Sequence, residues 1–466
     1  MKQVARFLVG VGATAWLLYL ALPPMNQGYL AGVALVPVLF GIRRTRFAVG
    51  FVAGIFIALL LSLFAAAGLH NSSTHLGSSA AWIYTGFTLF GLVLGFGLGV
   101  FAQTKELSNR SLITVPAWAV LFEAASLVGL PMHLGLTQHQ AIVPLLLAST
   151  GGIWLVSFLV WAVNMGCVRF LEALPDKPHN LARHSLGVVI PLALFAIPAP
   201  LAQDHARGLK VAVLQTDSPD EIEIAALHAR ASKVADLVIW PELAGNAFAP
   251  GGDVSMLADL SSKGAFVTSF TDHSTPLPFN TAVLFSAGAE QPKRYHKRKP
   301  FAGEVNIHQA GRSATKTSWN SVEVGLNICF DSCFPAVLRD TARLKDVTLI
   351  ALPTLDPDTP FGVIQAIHAA YTPFRCAELG VPIIRTDTTS YSAAYIPFTR
   401  PQFASSQYPD AAIKTFSVLP RRIPTAYWLL GDWFLYACGA FVVLGWRVSR
   451  RPNAEFTVAM EAPTPS

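Results

Sequence analysis

Three segments of this 466-residue sequence place a side chain suited to acyl or amide chemistry near the end of a predicted strand. VIWPEL contains Glu242, RYHKRKPFAGE contains Lys297, and LNICFDSC contains Cys329. A cysteine thiol has a pKa of about 8.5, so it needs help to become the nucleophilic thiolate. A carboxylate within hydrogen-bonding reach can take the thiol proton. A lysine, with the backbone N–H after the cysteine, can stabilise an oxyanion. The segments together predict nucleophilic catalysis by Cys329.

Each of these residues also has an ordinary structural explanation. Glu242 after Trp-Pro is typical of a solvated loop residue, and Lys297 lies in the basic run KRYHKRK. Cys329 and Cys333 have a CxxxC spacing that allows a disulfide in an oxidising compartment. Spacing alone leaves the catalytic and the structural interpretations open.

The elements that must position these side chains lie in the part of the chain between residues 206 and 424. Short β-rich runs alternate there with stretches such as DEIEIAALHARASKVA and FGVIQAIHAAYTPFRCAELG, which are helical or irregular. This alternation predicts an α/β domain built on sheets. Functional side chains in open α/β folds tend to lie just past strand ends. The predicted strands cover 209–216, 235–240, 264–270, 280–287, 322–330, 346–353 and 381–387.

The remainder of the chain has the composition of a membrane protein. Hydrophobic residues make up 52% of the sequence and charged residues 13%, whereas globular proteins carry about a quarter charged residues. A helix needs about 20 apolar residues to cross a bilayer. The second candidate span is short and contains Pro37, so we expect it to be tilted, broken or re-entrant. The eight candidates are 5–22, 28–42, 47–69, 81–103, 111–130, 141–168, 185–203 and 425–446.

The distribution of basic residues predicts the orientation of these spans. The basic loops at 43–46, 105–110, 169–184 and 447–451 fall on the side of the N-terminus in an eight-span count. The positive-inside rule then makes both termini cytoplasmic and residues 206–424 periplasmic, in the inner membrane of a two-membrane bacterium. The net charge of +6 is explained by these loops, so no nucleic-acid partner is predicted. The sequence also predicts no metal or organic cofactor, and we expect a monomer.

Two further features of the apolar part attract attention. Glu123 lies inside a predicted span, where a charge is costly and is a functional candidate by default. We favour its being protonated or paired with a neighbouring helix. His133 and His139 lie in the loop between the fifth and sixth spans. Two histidines do not make a metal site, so their role stays open.

The motifs in their order along the chain resemble the apolipoprotein N-acyltransferase family, a membrane-embedded branch of the nitrilase (carbon–nitrogen hydrolase) superfamily. Six ordered matches over about 410 residues are more specific than any single motif. The matching segments are LALPPMNQGYLAGVALVPVLFGI (20–42), VLFEAASLVGLPMHLGLTQHQ (120–140), LASTGGIWLVSFLVWAVN (147–164), the three segments of the candidate site, FRCAELGVPIIRTDTTSYSA (374–393) and TAYWLLGDW (425–433).

Together with the span count, the resemblance implies a domain organisation. It consists of a seven-span helical bundle over 1–205, an αββα nitrilase-like domain over 206–424, a last transmembrane helix over 425–446 and a cytoplasmic tail over 447–466.

The resemblance also implies roles for individual residues. Cys329 is the acyl-accepting nucleophile, Glu242 the general base, and Lys297 the group that stabilises the tetrahedral intermediate. The implied supporting residues are Glu304, Asp331 and Phe330. A disulfide between Cys329 and Cys333 is not expected, because it would block the thiol.

The reaction that the resemblance implies is a ping-pong transfer. Cys329 takes an acyl chain from a phospholipid as a thioester, and the N-terminal amine of a diacylglyceryl-cysteine lipoprotein then accepts it as an amide. Two alternatives stay open: a membrane-tethered amidase, and a conjugal-transfer protein built on the same scaffold. They remain because several loops differ from the family pattern, including the extra Ala302 and PFG at 360–362.

Overall fold

A computed structural model describes nine stretches of the chain. The described residues are 2–66, 77–126, 132–174, 181–288, 292–301, 303–356, 363–388, 391–401 and 412–449. Ala302 and the segment 360–362 lie outside them, as do the ends of the third and fifth predicted spans and residues 450–466 of the predicted tail.

The N-terminal part of the described chain is helical. Three of its helices are long and apolar enough to cross a membrane, at Lys2–Ala21, Phe47–Phe64 and Ile142–Ala173. Further apolar helices are shorter in the described residues, so the full count of eight spans stays a prediction. The helices are α1 (Lys2–Ala21), α2 (Val36–Ile42), α3 (Phe47–Ala66), α4 (Gly77–Ala102), α5 (Ser111–Ala125), α6 (Ile142–Ala173) and α7 (Leu181–Ala196).

The second predicted span is broken, as its length and its proline suggested. A 3₁₀ turn at Gly28–Gly32 is followed by α2, whose first turn contains Pro37. Proline fits the start of a helix because it lacks the N–H that would go unpaired there. The segment therefore enters the bundle as two short pieces.

Helices α3 and α4 pack at very close range. A Cβ atom added at Gly54 would lie 2.3 Å from the Cα atom of Gly95, and one added at Gly95 would lie 2.6 Å from the Phe51 carbonyl oxygen. Small residues four apart let helix backbones approach in this way, which favours association in lipid.

The described residues between 206 and 424 contain two mixed sheets. One has the order β11-β1-β2-β3-β4-β5 and the other the order β10-β9-β8-β7-β6. In each sheet the parallel strands are central and the antiparallel strands lie outside them. The strands are β1 (Leu209–Gln215), β2 (Leu237–Ile239), β3 (Ala265–Asp272), β4 (Phe279–Phe285), β5 (Arg294–His296), β6 (Thr315–Trp319), β7 (Val322–Leu326), β8 (Val347–Pro353), β9 (Ile383–Thr386), β10 (Ala393–Tyr395) and β11 (Ala412–Val418).

The sheets form a sandwich because their strands are apolar on both faces. Along β1, Val211 and Val213 lie in a core shared with the second sheet. Ala212 and Leu214, on the opposite face, pack in a second core with helix α8 (Glu221–Ala231). Successive strand residues point to opposite faces, so a strand buried on both sides reads as a continuous apolar run.

The remaining helices complete the layers and the C-terminal end. Helix α10 contacts β7 and β8 on the second sheet, so the predicted nitrilase-like sandwich is confirmed. The single stretch predicted at 361–380 is two helices. These helices are α9 (Ser255–Leu260), α10 (Pro335–Ala342), α11 (Val363–Ala369), α12 (Tyr371–Leu379), α13 (Ala426–Leu430) and α14 (Trp433–Ser449).

Helix α6 is kinked where it meets the α/β domain. Gly152 has a φ of 71°, which interrupts the helical hydrogen bonding. The N–H of Ile153 instead donates to Glu378 Oε1 at 2.8 Å, and Arg375 holds the same oxygen from the other side at 2.8 Å. The kink therefore connects the bundle to helix α12.

A Gly152→Ala variant is expected to lose about 2–3 kcal/mol of stability. The positive φ is unfavourable for alanine, and the new Cβ would lie 2.5 Å from the ring of Tyr427. Thermal unfolding of the purified protein in detergent measures the loss. Gly12→Ala is the matched control, because its Cβ would meet nothing within 4 Å. Equal unfolding temperatures for both variants would contradict this account of the kink.

Candidate active site

Glu242 lies three residues beyond the end of β2 and is buried. Its Oε1 accepts hydrogen bonds from Lys297 Nζ at 2.8 Å and from Asn280 Nδ2 at 2.6 Å. Its Oε2 accepts the N–H of Leu355 at 2.9 Å. With an exposed fraction of 2%, Glu242 is not the solvated loop residue of the alternative interpretation.

Lys297 directly follows β5 and is also buried. The interpretation of Lys297 as part of a solvated basic run is therefore wrong. Its ammonium group lies between two carboxylates, 2.8 Å from Glu242 Oε1 and 2.7 Å from Glu304 Oε2. Glu304 is fixed in turn by the N–H of Phe301, which donates to Oε2 at 2.8 Å. The lysine therefore has one defined position.

Cys329 begins a 3₁₀ turn, Cys329–Cys333, three residues beyond the end of β7. The strand predicted at 322–330 thus ends at Leu326, and the prediction of a strand running up to the cysteine is wrong. The φ of Cys329 is 46°, in the left-handed region that non-glycine residues rarely adopt. Its Sγ lies 3.8 Å from the carbonyl oxygen of Leu355. Both Cys329 and Cys333 are free thiols, so the disulfide that the spacing allowed is not formed.

Asp331 and Phe330 stabilise the turn that carries the thiol. Asp331 Oδ2 accepts the N–H of Ile328 at 3.0 Å and the hydroxyl of Tyr295 at 2.7 Å, and its Oδ1 accepts the N–H of Lys299 at 2.9 Å. The ring of Phe330 packs edge-on against a neighbouring phenyl ring at 5.3 Å. Burial raises the pKa of Asp331 to about 6, although the hydrogen bonds oppose this.

Leu355 brings the acid and the thiol together. Its N–H binds Glu242 and its carbonyl oxygen contacts Cys329 Sγ. The structure therefore gathers Glu242, Lys297 and Cys329, from the ends of three different strands, into one buried cluster.

The electrostatics of this cluster keep the proton on sulfur at rest. Burial raises the pKa of Cys329 well above its usual range, and the Glu242 charge adds to the effect while Lys297 opposes it. Burial also raises the pKa of Glu242, against the attraction of Lys297. Burial acts to lower the pKa of Lys297, but the surrounding acidic groups outweigh it and hold that pKa well above the ordinary value. The lysine remains an ammonium ion, so thiolate formation must accompany attack on a substrate.

Sequence reasoning missed several partners of these residues. Asn280 and Tyr295 are buried polar side chains at the start of β4 and within β5. The signal available in the sequence for Asn280 was a polar residue near the start of a strongly apolar strand. Leu355 contributes through its backbone N–H and carbonyl oxygen, and the type of its side chain gives no sign of this.

The thiol of Cys329 also belongs to a group of three side chains whose atoms are close enough together to be tested as a metal site. Atoms of Cys329, Asp356 and His368 lie within 4.8 Å of one another. However, both ring nitrogens of His368 already have hydrogen-bond partners, and Asp356 is also paired with Arg385. These bonds account for the cluster as an ion-pair network, and it does not fit a metal site.

The other sequence candidates are buried at the edge of the bundle. Glu123 accepts the N–H of Leu134 at 3.5 Å and lies 3.6 Å from His133 Nδ1. The His133 ring packs against Trp154 and Tyr371. His139 Nδ1 lies 3.0 Å from the Leu136 carbonyl oxygen. These contacts agree with pairing of Glu123 and do not assign a function.

Comparison with known families covers most of the chain. Residues 14–166 match the family model for the apolipoprotein N-acyltransferase N-terminal domain, and residues 210–398 match the model for carbon-nitrogen hydrolase. The chain belongs to the apolipoprotein N-acyltransferase family of the nitrilase superfamily. In this N-acyltransferase family member, the first match runs from α1 into α6, and the second runs from β1 past β10. The sequence resemblance is thus confirmed.

Solved structures similar to this family member include an amidase from Nesterenkonia sp. It is 18% identical, with a TM-score of 0.41, and the match covers 51% of this chain and 98% of that chain. A mutant of that amidase shows covalent addition of the acetamide moiety of fluoroacetamide at its active-site cysteine. That structure is 17% identical, with a TM-score of 0.41, covering 51% of this chain and 98% of that chain. No curated protein matches this sequence.

Proposed function

We propose that this protein transfers an acyl chain from a phospholipid to the N-terminal amine of a diacylglyceryl-cysteine lipoprotein, through a thioester on Cys329. The observation that carries the proposal is the buried cluster of Glu242, Lys297 and Cys329. The same chain contains an apolar helical bundle that matches the N-acyltransferase N-terminal domain. A nucleophile held beside a base and a fixed cation is the arrangement that acyl transfer requires.

The first half-reaction loads the thiol. Glu242 takes the proton from Cys329 as Sγ bonds to the ester carbonyl carbon, and the carbonyl electrons move onto oxygen. The ammonium of Lys297 and the N–H of Phe330 stabilise this oxyanion. When the intermediate collapses, the C–O ester bond breaks. The lysophospholipid leaves with the proton that Glu242 held, and the thioester remains.

The second half-reaction transfers the acyl chain. The free amine of the lipoprotein attacks the thioester carbonyl carbon while Glu242 takes an amine proton. The same two donors stabilise the second oxyanion. The C–S bond then breaks, the amide is released, and the proton returns to Cys329. Two easier steps thus replace one difficult transfer.

The membrane bundle has a physical purpose in this scheme. Both substrates carry long acyl chains, and moving such chains from lipid into water costs about 0.8 kcal/mol per CH₂ group. A catalytic domain over 206–424 that faces the periplasm, with the bundle over 1–205 and the helix over 425–446 in the inner membrane, keeps these chains in the bilayer. Both termini are then cytoplasmic, and one copy of the chain holds the complete cluster.

A membrane-tethered amidase is the second candidate, because the catalytic domain matches the carbon-nitrogen hydrolase family. Such an enzyme would form the same thioester and pass it to water. In the amidase the C–N bond of an amide would break during loading and an amine would leave, so the two functions share the thioester and differ in the donor as well as in the acceptor.

The test is the intact mass of the purified protein after incubation with phospholipid in detergent. We expect a mass increase of one acyl chain that hydroxylamine removes and that Cys329→Ala abolishes. Cys376→Ala is the matched control, because that thiol is buried and contacts the Tyr395 carbonyl instead of the cluster. It should retain the adduct.

A synthetic peptide with an N-terminal diacylglyceryl-cysteine then distinguishes the two functions. Loss of the adduct with formation of an acylated peptide supports the transferase. If the adduct is lost at the same rate with and without peptide, and fatty acid is released, the result would support the hydrolase. A wild-type protein that takes up no acyl chain from several phospholipid classes would contradict the acyltransferase and leave the amidase or the conjugal-transfer protein as the better interpretation.

A further inference from the structure

The strained conformation of Cys329 needs a stabilising partner. A non-glycine residue in the left-handed region costs about 1–3 kcal/mol and persists only where its surroundings impose it. The carbonyl group of Cys329 is held by two donors. Ser332 Oγ donates to this oxygen at 2.9 Å, and His368 Nε2 lies 3.2 Å from it. His368 belongs to α11, which lies between β8 and β9 in the chain, so the carbonyl is fixed from outside the turn.

The bonding pattern identifies the protonation state of His368. Its Nδ1 lies 2.6 Å from Asp356 Oδ1, and its Nε2 faces the Cys329 carbonyl oxygen. The Ser332 hydroxyl lies closer to Nε2, at 2.9 Å, but it donates its own proton to the Cys329 carbonyl oxygen and so accepts from the ring. All the neighbours of the ring therefore accept hydrogen bonds, and both ring nitrogens carry protons. Burial acts to lower the pKa of His368, but Asp356 outweighs it and holds that pKa at about 10. The ring is therefore an imidazolium at neutral pH.

Asp356, which orients the His368 ring, is itself held in place by further buried groups. The second oxygen of Asp356 pairs with Arg385 on β9, and the N–H of Asp356 donates to Asp387 at 3.0 Å. All of these groups are buried. A buried ion pair whose members are fully bonded holds its geometry strictly, because each broken bond would leave an unpaired charge.

We infer that His368, oriented by Asp356, is a positioning residue for Cys329, and that it holds the nucleophile in its strained conformation through the carbonyl oxygen. The inference rests on the proposed nucleophilic role of Cys329. The hydrogen bonds of His368 go to Asp356, Ser332 and the Cys329 carbonyl oxygen, and not to the sulfur. His368 acts on the direction in which Sγ points, and a misplacement of about 1 Å at such a site can slow a reaction by about 10²-fold.

The test is the rate constant for alkylation of Cys329 by iodoacetamide in the full-length protein, with the modified sulfur assigned by fragment-ion mass spectrometry. We expect His368→Gln to lower this rate constant about 10–100-fold. The matched control is His228→Gln. That histidine is equally buried but lies beside Trp240 on the outer face of the first sheet, and its loss should leave the rate constant unchanged.

The measurement separates positioning from general destabilisation. Partial unfolding changes the amplitude of the reaction, whereas positioning changes the rate constant of the folded protein. If His368→Gln does not fold, Asp356→Asn carries the test, since it is isosteric but removes the charge that holds the protonated ring in its orientation. We expect it to lower the rate constant about tenfold or more. In phospholipid turnover, kcat should fall with an unchanged KM.

The outcomes also distinguish this inference from the proposed function. A wild-type rate constant in folded His368→Gln or folded Asp356→Asn would overturn the positioning role, whatever the protein does with phospholipid. A slowed variant, alongside a wild-type protein that alkylates readily but takes up no acyl chain, would support the positioning role and contradict the acyltransferase.

Discussion

A Glu242→Gln variant is expected to load acyl chains on Cys329 about 10²–10⁴-fold more slowly than the parent protein, which is the usual contribution of a positioned general base. The amide has the shape of the carboxylate, and Lys297 keeps its second partner, Glu304, so the protein should fold. Some stability is lost, because the amide cannot accept from Leu355, Asn280 and Lys297 all at once. The amide cannot take the thiol proton. Burial already raises the pKa of that thiol, so little thiolate forms without the base. The rate of adduct formation by intact mass measures the loss.

The pH dependence gives a second measurement of the same role. The base must be deprotonated to act, and burial raises the pKa of Glu242 above the ordinary carboxyl value. Loading by the parent protein should therefore fall as the pH is lowered through this raised pKa, at a higher pH than an ordinary glutamate would give. The Gln variant should lack this acid limb.

Glu378→Gln is the control for loss of a buried, paired carboxylate. Glu378 binds Arg375 and the Ile153 N–H, at the contact between α12 and α6. Its substitution should lower stability without changing the loading rate of the folded protein. Loading by Glu242→Gln at the rate of the parent would show that another group takes the thiol proton.

The sequence predicted the candidate residues Glu242, Lys297 and Cys329 and their strand-end positions, but not the way they meet. Glu242 follows a strand of one sheet and Cys329 a strand of the other. The site thus lies between the two sheets, and the pairing that defines each sheet joins residues far apart in the chain. Strand β1, for example, pairs with β11 about two hundred residues later. Local apolar patterns carry no information about such pairing.

The strands that the sequence missed are short or polar. Strands β5 and β10 have three residues each, β6 reads TKTSW, and the seven-residue β11 reads AIKTFSV, with three polar residues. Three residues are too few to show alternation. The strand predicted at 322–330 was too long for a different reason. The left-handed conformation of Cys329 ends the strand, and its apolar composition gave no sign of this.

The network behind the nucleophile could not be predicted either. Asp356, His368 and Arg385 lie in a loop, a helix and a strand, and each looks unremarkable in its own segment. Only the fold brings them together beneath Cys329. The hydropathy pattern, by contrast, located the apolar helices well, because a bilayer imposes length and composition on each segment separately.

A Lys297→Met variant is expected to lose both activity and stability. Removing one oxyanion donor lowers kcat about 10²–10³-fold in comparable sites. Breaking a buried ion pair by removing one partner costs about 3–5 kcal/mol. Here two carboxylates, Glu242 and Glu304, lose their common cation. Denaturant unfolding and adduct formation measure the two losses separately.

The stability loss should depend on pH with a definite sign. Burial already raises the pKa of Glu242 above its ordinary value, and loss of the lysine charge raises it further in the folded state. The folded protein then binds more protons than the unfolded chain, so its stability falls as the pH rises through this raised pKa. Unfolding at pH 5 and pH 8 should show a smaller deficit at pH 5.

The double variant Lys297→Met/Glu304→Gln separates the two roles of the lysine. Neutralising Glu304 relieves the repulsion between the carboxylates, so much of the stability at pH 8 should return. Acyl loading should not return, because no ammonium faces the oxyanion. A double variant that recovers both would mean that Lys297 only neutralises its acidic neighbours. A single variant as stable as the parent at pH 8 would mean that the two carboxylates already share a proton.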